Sequence, residues 1–270
     1  MRRPRLDGLL GYLILILLVL FIIAPMVSVV LWAFAEQWRY PSLLPTQWGF
    51  RFWEATLSRA DVLRALPLSL GIASLVTFLS AVICLPAAYA FARLKFRGSQ
   101  AILLSFLATN AFPRFGLYIA IAVIFFRLNL IGTVTGVVLI QLVNTLLLMI
   151  WIPTAAFRGV DKALEEAALD VGATRLQVFF RVSLPQVAPA LGAALLLTFV
   201  GTFYETQGAI LVGLPNVRTM PLVMISLINN QLIVQYGAVL SVFLWVPSLV
   251  ALVFARRILQ SRTLAAGFGV

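Results

Sequence analysis

Few residues in this chain could perform acid–base or metal chemistry. Among 270 residues there are nine carboxylates, one cysteine and no histidine. Without histidine, neither a Ser-His-Asp triad nor a histidine metal site can be assembled. Cys84 stands alone in an apolar run, which leaves no internal disulfide and no zinc-ligand spacing. The two lysines, Lys95 and Lys162, follow Leu94 and Asp161. Neither therefore completes G-x-x-x-x-G-K-[ST], the loop that cradles phosphates in P-loop ATPases. The sequence offers no catalytic residue and no metal centre, and any P-loop ATP hydrolysis must occur on another polypeptide. What it does offer is charge in unusual places. Arg114 and Glu205 sit inside long apolar runs. Glu165-Glu166-Ala167-Ala168-Leu169-Asp170-Val171-Gly172, running on to Leu184-Pro185, is a charged, helix-forming island.

The elements that hold these residues are membrane spans. The chain is 62% hydrophobic and 11% charged, against about 25% charged in a soluble domain, and the apolar residues come in long blocks. Six spans are expected, at about 9–35, 63–92, 100–126, 134–157, 187–212 and 235–256. The first is too long for the core of a signal peptide and reads as a retained span. The third is interrupted near Asn110, Pro113 and Arg114. The fold class is thus an all-α polytopic membrane protein. We divide it into an N-terminal span with an outer segment (1–62), a core (63–257) carrying the island loop 158–186, and a tail (258–270). Segment 36–62 brings Trp38, Tyr40, Trp48 and Trp53, aromatics suited to a membrane interface or a docked partner.

Basic residues set the orientation. With both termini cytoplasmic, thirteen lysines and arginines fall inside and six outside, with Arg114 within a span. That is a clear positive-inside bias. The net charge of +11 is therefore topology and not a nucleic-acid patch. The same bias places the island in the cytoplasm, between spans four and five.

Lys162 to Val171 is rich in helix formers, with Leu164, Ala167, Ala168 and Val171 on one face. Gly172 can end this helix in a left-handed conformation. A second short helix is expected from Thr174 to about Arg181, before Leu184-Pro185 resets the chain into span five. The result is a helix–turn–helix at the membrane surface. Its small face at Ala167 and Ala168 would let another surface approach closely.

Glu166-Ala167-Ala168, three residues, Gly172, nine residues, then Val182-Ser183-Leu184-Pro185 resembles the EAA loop of binding-protein-dependent ABC importer permeases, E-A-A-x3-G-x9-I-x-L-P. Val182 for Ile is the one departure. The resemblance implies a cytoplasmic coupling helix that docks in a groove of a separate ATPase. It assigns Glu165, Glu166, Ala167, Ala168, Asp170, Gly172, Leu184 and Pro185 to that coupling, with Glu166, Ala167 and Gly172 as contact and hinge positions. It also implies the partners: two copies of a cytoplasmic ATPase that bind ATP and Mg, a second permease (identical or homologous), an extracytoplasmic solute-binding protein and membrane lipid. This chain itself would bind no cofactor. The location implied is a bacterial or archaeal plasma (inner) membrane. The binding protein would dock on the outer segments 36–62 and 213–234.

Ionisable groups within spans are costly and point to function. Asn110, Arg114, Thr202, Tyr204, Glu205 and Gln207 are the expected translocation-pathway residues, and Arg114 and Glu205 could pair in one state. Gln141 and Asn144 read as interhelical hydrogen-bond partners. The loop string looks more like the spermidine/putrescine, iron and phosphonate subgroup than the sugar subgroup. The latter commonly carries a Trp-Asn-Glu-Phe-like signature where this chain has Thr202-Phe203-Tyr204-Glu205-Thr206. The alternative is a secondary transporter driven by an ion gradient, which predicts inverted repeats and broken helices in both halves and leaves the island unexplained. A membrane-embedded enzyme would need a cluster of reactive groups at one depth, and a scaffold without a pathway would tolerate apolar residues at Arg114 and Glu205.

Overall fold

A computed structural model describes residues 6–108, 113–231 and 233–259. The protein is helical almost throughout. Five of the described helices are long and apolar enough to cross a membrane. They are α1 (Leu6–Phe34), α3 (Ala60–Arg93), α6 (Val134–Gly159), α9 (Leu184–Phe203, with the turns leading into it) and α11 (Val234–Leu259). Shorter helices connect them: α2 (Arg51–Leu57), α4 (Ser99–Ala108), α5 (Arg114–Arg127), α7 (Lys162–Asp170), α8 (Arg175–Val178) and α10 (Met220–Gln231).

Two of the expected spans are interrupted. The third, expected to break near Asn110, Pro113 and Arg114, consists of α4 and α5, of ten and fourteen residues. At 1.5 Å per residue these reach about 15 and 21 Å, short of a hydrocarbon core of about 30 Å. The cause on the α5 side is Pro113, which occupies the N-cap position with an extended backbone (φ −57°, ψ 116°) because proline suits a helix start and not its interior. Asn110 lies outside the described residues. The fifth span begins earlier than expected, at Leu184, and stops at Phe203. The chain breaks over Tyr204–Thr206 before a π-helical turn at Ala209–Gly213.

The chain forms two compact units. One comprises the residues up to Leu63 together with Val223–Val246. Its strands β1 (Ala35–Gln37) and β2 (Gln47–Trp48) pair antiparallel as a small ribbon after α1. Ala33, Ala238 and Val239 form its core, with Phe34, Phe52 and Trp53 packed around them. The interface aromatics divide: Trp38 stacks on Trp32 with centroids 4.5 Å apart and Trp53 lies against Phe34, whereas Tyr40 is exposed.

The other unit comprises Arg64–Leu222 and the chain from Pro247. Its helices meet in a series of buried clusters. Cys84 of α3, Leu103 of α4, Met149 and Ile150 of α6 and Ala194 of α9 form one. Ala88, Phe157, Val160 and Val187 form another nearer the loop. Cys84 is fully enclosed there, a packing role. Polar side chains stitch the same helices together: Ser80 and Thr145 share a buried hydrogen bond of 2.5 Å between α3 and α6. In a membrane such bonds satisfy groups that lipid cannot.

A clamped surface helix and a buried glutamate

The island folds into two short helices with a complete set of local caps. Asp161 is the N-cap of α7, its carboxylate accepting from the Ala163 N–H at 3.0 Å. At the other end Gly172 takes φ +91°. Its N–H donates to the Leu169 carbonyl at 2.9 Å, and the Ala173 N–H to that of Ala168 at 3.0 Å. This is a Schellman stop, which favours glycine at its left-handed residue. Thr174 then starts α8 with a capping box: the Gln177 N–H donates to Thr174 Oγ1, and the Thr174 N–H to Gln177 Oε1. The expected second helix does not end before the span. A π-helical turn at Phe179–Ser183 joins α8 directly to α9, with Pro185 in the first turn of α9. The wider turn absorbs the proline's missing donor without a break.

The island's residues divide by direction. Glu166, Ala167, Asp170, Gly172 and Pro185 are exposed, while Ala168 and Leu184 are half-buried. Leu164, Val171, Leu176 and Phe180 are exposed as well, the last three by 85%, 71% and 60%. Leu176 and Phe180 belong to the apolar stretch that leads into α9, whereas Leu164 and Val171 leave an open apolar face on the surface helix α7. Glu165 does the opposite and turns into the body. Arg93 Nε lies 2.9 and 3.1 Å from its two carboxylate oxygens, and Ser183 Oγ donates to it at 2.6 Å. The same Arg93 donates to the Val160 carbonyl at 2.8 Å. Glu165 is thus a clamp tying α7 to the end of α3 and to the π turn before α9. Among the residues expected to couple, Glu165 is the buried one, bonded to Arg93 and Ser183 rather than open to a partner. Arg93 and Ser183 were not singled out, because both partners lie far from Glu165 in sequence.

The second site is the break after α9. Glu205 is 8% exposed. Its carboxylate accepts from the Gly208 N–H at 2.8 Å, the Ala209 N–H at 3.2 Å and Gln141 Nε2 at 3.3 Å. Two of these donors are the free amides of the turn that restarts the helix, so Glu205 acts as its cap. The third shows Gln141 joining α6 to this break. Gly208 must be small here, since a Cβ would come within 2.9 Å of Ile140 and 3.2 Å of the Glu205 carboxylate. Tyr118 lies against the same point, and its hydroxyl and Gln141 Oε1 are buried without a hydrogen-bond partner among the described residues. Of the other expected pathway residues, Thr202 is buried next to the break, Gln207 is exposed, and Tyr204 OH accepts from Ser248 Oγ at 3.0 Å. Arg114 is exposed at the first turn of α5.

A polytopic helical protein, with a capped and clamped helix presenting an open face between two spans, has the build of the membrane part of a transporter. Residues 80–263 match the binding-protein-dependent transport system inner membrane component family, and the chain belongs to that family. It is 31% identical over 202 residues to the trehalose/maltose transport system permease protein MalG of Thermococcus litoralis, covering 73% of each chain. It is 28% identical over 250 residues to the putrescine transport system permease protein PotI of Escherichia coli, covering 89% of this chain and 87% of that one. A bacterial ABC transporter involved in the import of the polysaccharide alginate shares its fold, with a TM-score of 0.72 at 19% identity over 93% of this chain and 95% of that one. The protein is accordingly a multi-pass, non-catalytic permease subunit of an ABC importer, and ATP hydrolysis lies with a separate ATPase.

Proposed function

We propose that this subunit lines the path of a small polar solute and is driven through α7 by two copies of a cytoplasmic ATPase. ATP and Mg are bound by that ATPase. The loop and both termini face the cytoplasm of a bacterial or archaeal cell, as the basic residues imply. A second permease, identical or homologous, completes the pathway, and an extracytoplasmic binding protein delivers the solute. The observation that carries this reading is the pairing of an open, small-residue face on α7 with a buried clamp behind it. A face alone would bind, but a face anchored to α3 and α9 can also move spans. Glu165, Glu166, Ala167, Ala168, Asp170 and Gly172 couple to the ATPase, with Glu166, Ala167 and Gly172 as the contact and hinge positions and Leu184 and Pro185 where the loop enters α9. Thr202, Tyr204, Glu205, Gln207, Arg114 and Asn110 belong to the pathway, and Arg114 and Glu205 pair in one of its states.

The solute is of polyamine, iron or phosphonate type. Support comes from the loop string and from the near full-length match to a putrescine permease; the match to MalG makes a sugar the competing class. Ala167→Arg changes an exposed residue of α7, so the chain should fold while losing the ATPase on co-purification. An ATPase retained at the wild-type level by this variant refutes the docking face. The binding protein that co-purifies, tested by thermal shift against putrescine, ferric iron, a phosphonate and maltose, decides the solute. For the pairing, Arg114→Glu with Glu205→Arg should transport better than either single change; equal or worse transport removes it.

A further inference from the structure

A second feature stands beside the loop. A cavity of about 470 Å³ is lined by Arg93, Lys95, Arg97, Arg158 and Lys162, a volume within the ~300–1,000 Å³ range of small-molecule sites. It is bounded by the end of α3, the segment 94–97 that follows it, the first residue of α4, the end of α6 and the start of α7. Arg93 is engaged by Glu165. The other four cations are exposed and make no ion pair or side-chain hydrogen bond among the described residues. Arg158, in the last turn of α6, is where a helix dipole favours a cation. Lys162 is not, because it opens α7 at the positive end of that helix. Ser99 opens α4 and also lines the cavity, which adds a second positive helix end. The concavity is therefore electropositive in excess of what its own helices compensate.

We infer that this cavity binds the phosphate of an anionic phospholipid headgroup. Phosphate suits it because Arg and Lys both donate to phosphate oxygens. A lipid suits it because the cavity sits where two spanning helices, α3 and α6, end, the level at which headgroups lie. Phe91, Leu94 and Phe96 supply apolar wall for the glycerol and upper acyl chain. Basic pockets of this kind between spans hold anionic headgroups.

The test uses the full chain with its co-purifying subunits in nanodiscs of equal phosphatidylglycerol and phosphatidylcholine, with retained lipid counted by native mass spectrometry. Wild type should hold phosphatidylglycerol over phosphatidylcholine. Lys95→Gln with Arg97→Gln and Arg158→Gln should lower that retention about a hundredfold, at roughly 1 kcal/mol for each basic residue near a membrane surface. Arg39→Gln with Arg51→Gln and Arg127→Gln removes equal charge elsewhere and should leave it unchanged. Should the triple variant fail to fold, Lys95→Gln alone should still show about a fivefold loss. Undiminished retention in the pocket variants, or an equal loss in the control, overturns the inference. So does displacement by inorganic phosphate that then binds in phosphatidylcholine alone, which makes it a free-anion site. Retention that appears only after the ATPase is stripped off overturns it too, because the cavity is then a protein-docking surface.

Discussion

Replacing Glu165 with glutamine removes the charge from the clamp while keeping an oxygen that can accept from Ser183. The Arg93 and Glu165 side chains are only 7% and 11% exposed, so their separation is a buried-pair event and not a screened surface one. Removing one partner of such a pair costs about 3–5 kcal/mol, because the other charge is stranded. Arg93 keeps its bond to the Val160 carbonyl and glutamine keeps that to Ser183, which puts Glu165→Gln at the lower end, about 3 kcal/mol. Glu165→Ala also loses the Ser183 bond and should cost more. Denaturant unfolding in detergent, followed by tryptophan fluorescence, measures this. A double-mutant cycle with Arg93→Gln isolates the pair, and its coupling should be about 1–3 kcal/mol. The same variants, reconstituted with the ATPase, should hydrolyse more ATP per solute moved, since α7 would then shift without carrying α3. If the two changes add to within about 0.5 kcal/mol, or if ATP use per solute is unchanged, the clamp neither stabilises nor transmits, and the reasoning about Glu165 is wrong.

Other changes should be graded by what each side chain touches. Gly172→Ala meets no atom within 4 Å of its new Cβ, so its cost is the left-handed backbone alone, about 1–2 kcal/mol. It should weaken ATPase co-purification without changing the fold, as seen by pull-down and circular dichroism. Glu205→Ala strands three donors at the break, each worth about 1–3 kcal/mol when buried and unpaired. It should lower the melting temperature markedly. Glu205→Gln, which keeps one accepting oxygen, should recover about half of that loss. Equal melting temperatures for the two variants would show that the carboxylate is not the cap.

Much of this was legible because the signals are local. Asp161 before a helix-forming run and a glycine ten residues after Lys162 mark α7 without tertiary information. Thr174-x-x-Gln177 carries the capping box just as openly. Span boundaries were visible where apolar runs end in charge, as α3 does at Arg93. The breaks were harder. Hydropathy runs smoothly through Glu205, and only the three donors gathered on its carboxylate reveal that the helix stops and restarts there. The inward turn of Glu165 was hidden for a related reason. Adjacent Glu165 and Glu166 are equivalent by composition, and only Arg93, 72 residues away, decides which one turns inward.

The position of Glu165 has a mechanical consequence for α9. Its carboxylate holds Ser183, the last residue of the π turn, and α9 follows at once as a helix of twenty residues, about 30 Å long. At its far end the helix stops at the Glu205 break. A displacement of α7 is therefore applied next to one end of a rigid element whose other end is bounded by a capped discontinuity. Packed helices shift between discrete arrangements rather than bending continuously, so the two irregular turns are where such a shift can be taken up. The π turn holds one fewer hydrogen bond than an α-turn of equal length and can rewind. The Glu205 break is held by a single carboxylate that can exchange donors, with the Tyr118 hydroxyl and Gln141 Oε1 beside it unpaired among the described residues. On the proposed pathway, that exchange is the point at which movement of the loop becomes a change in what a solute meets.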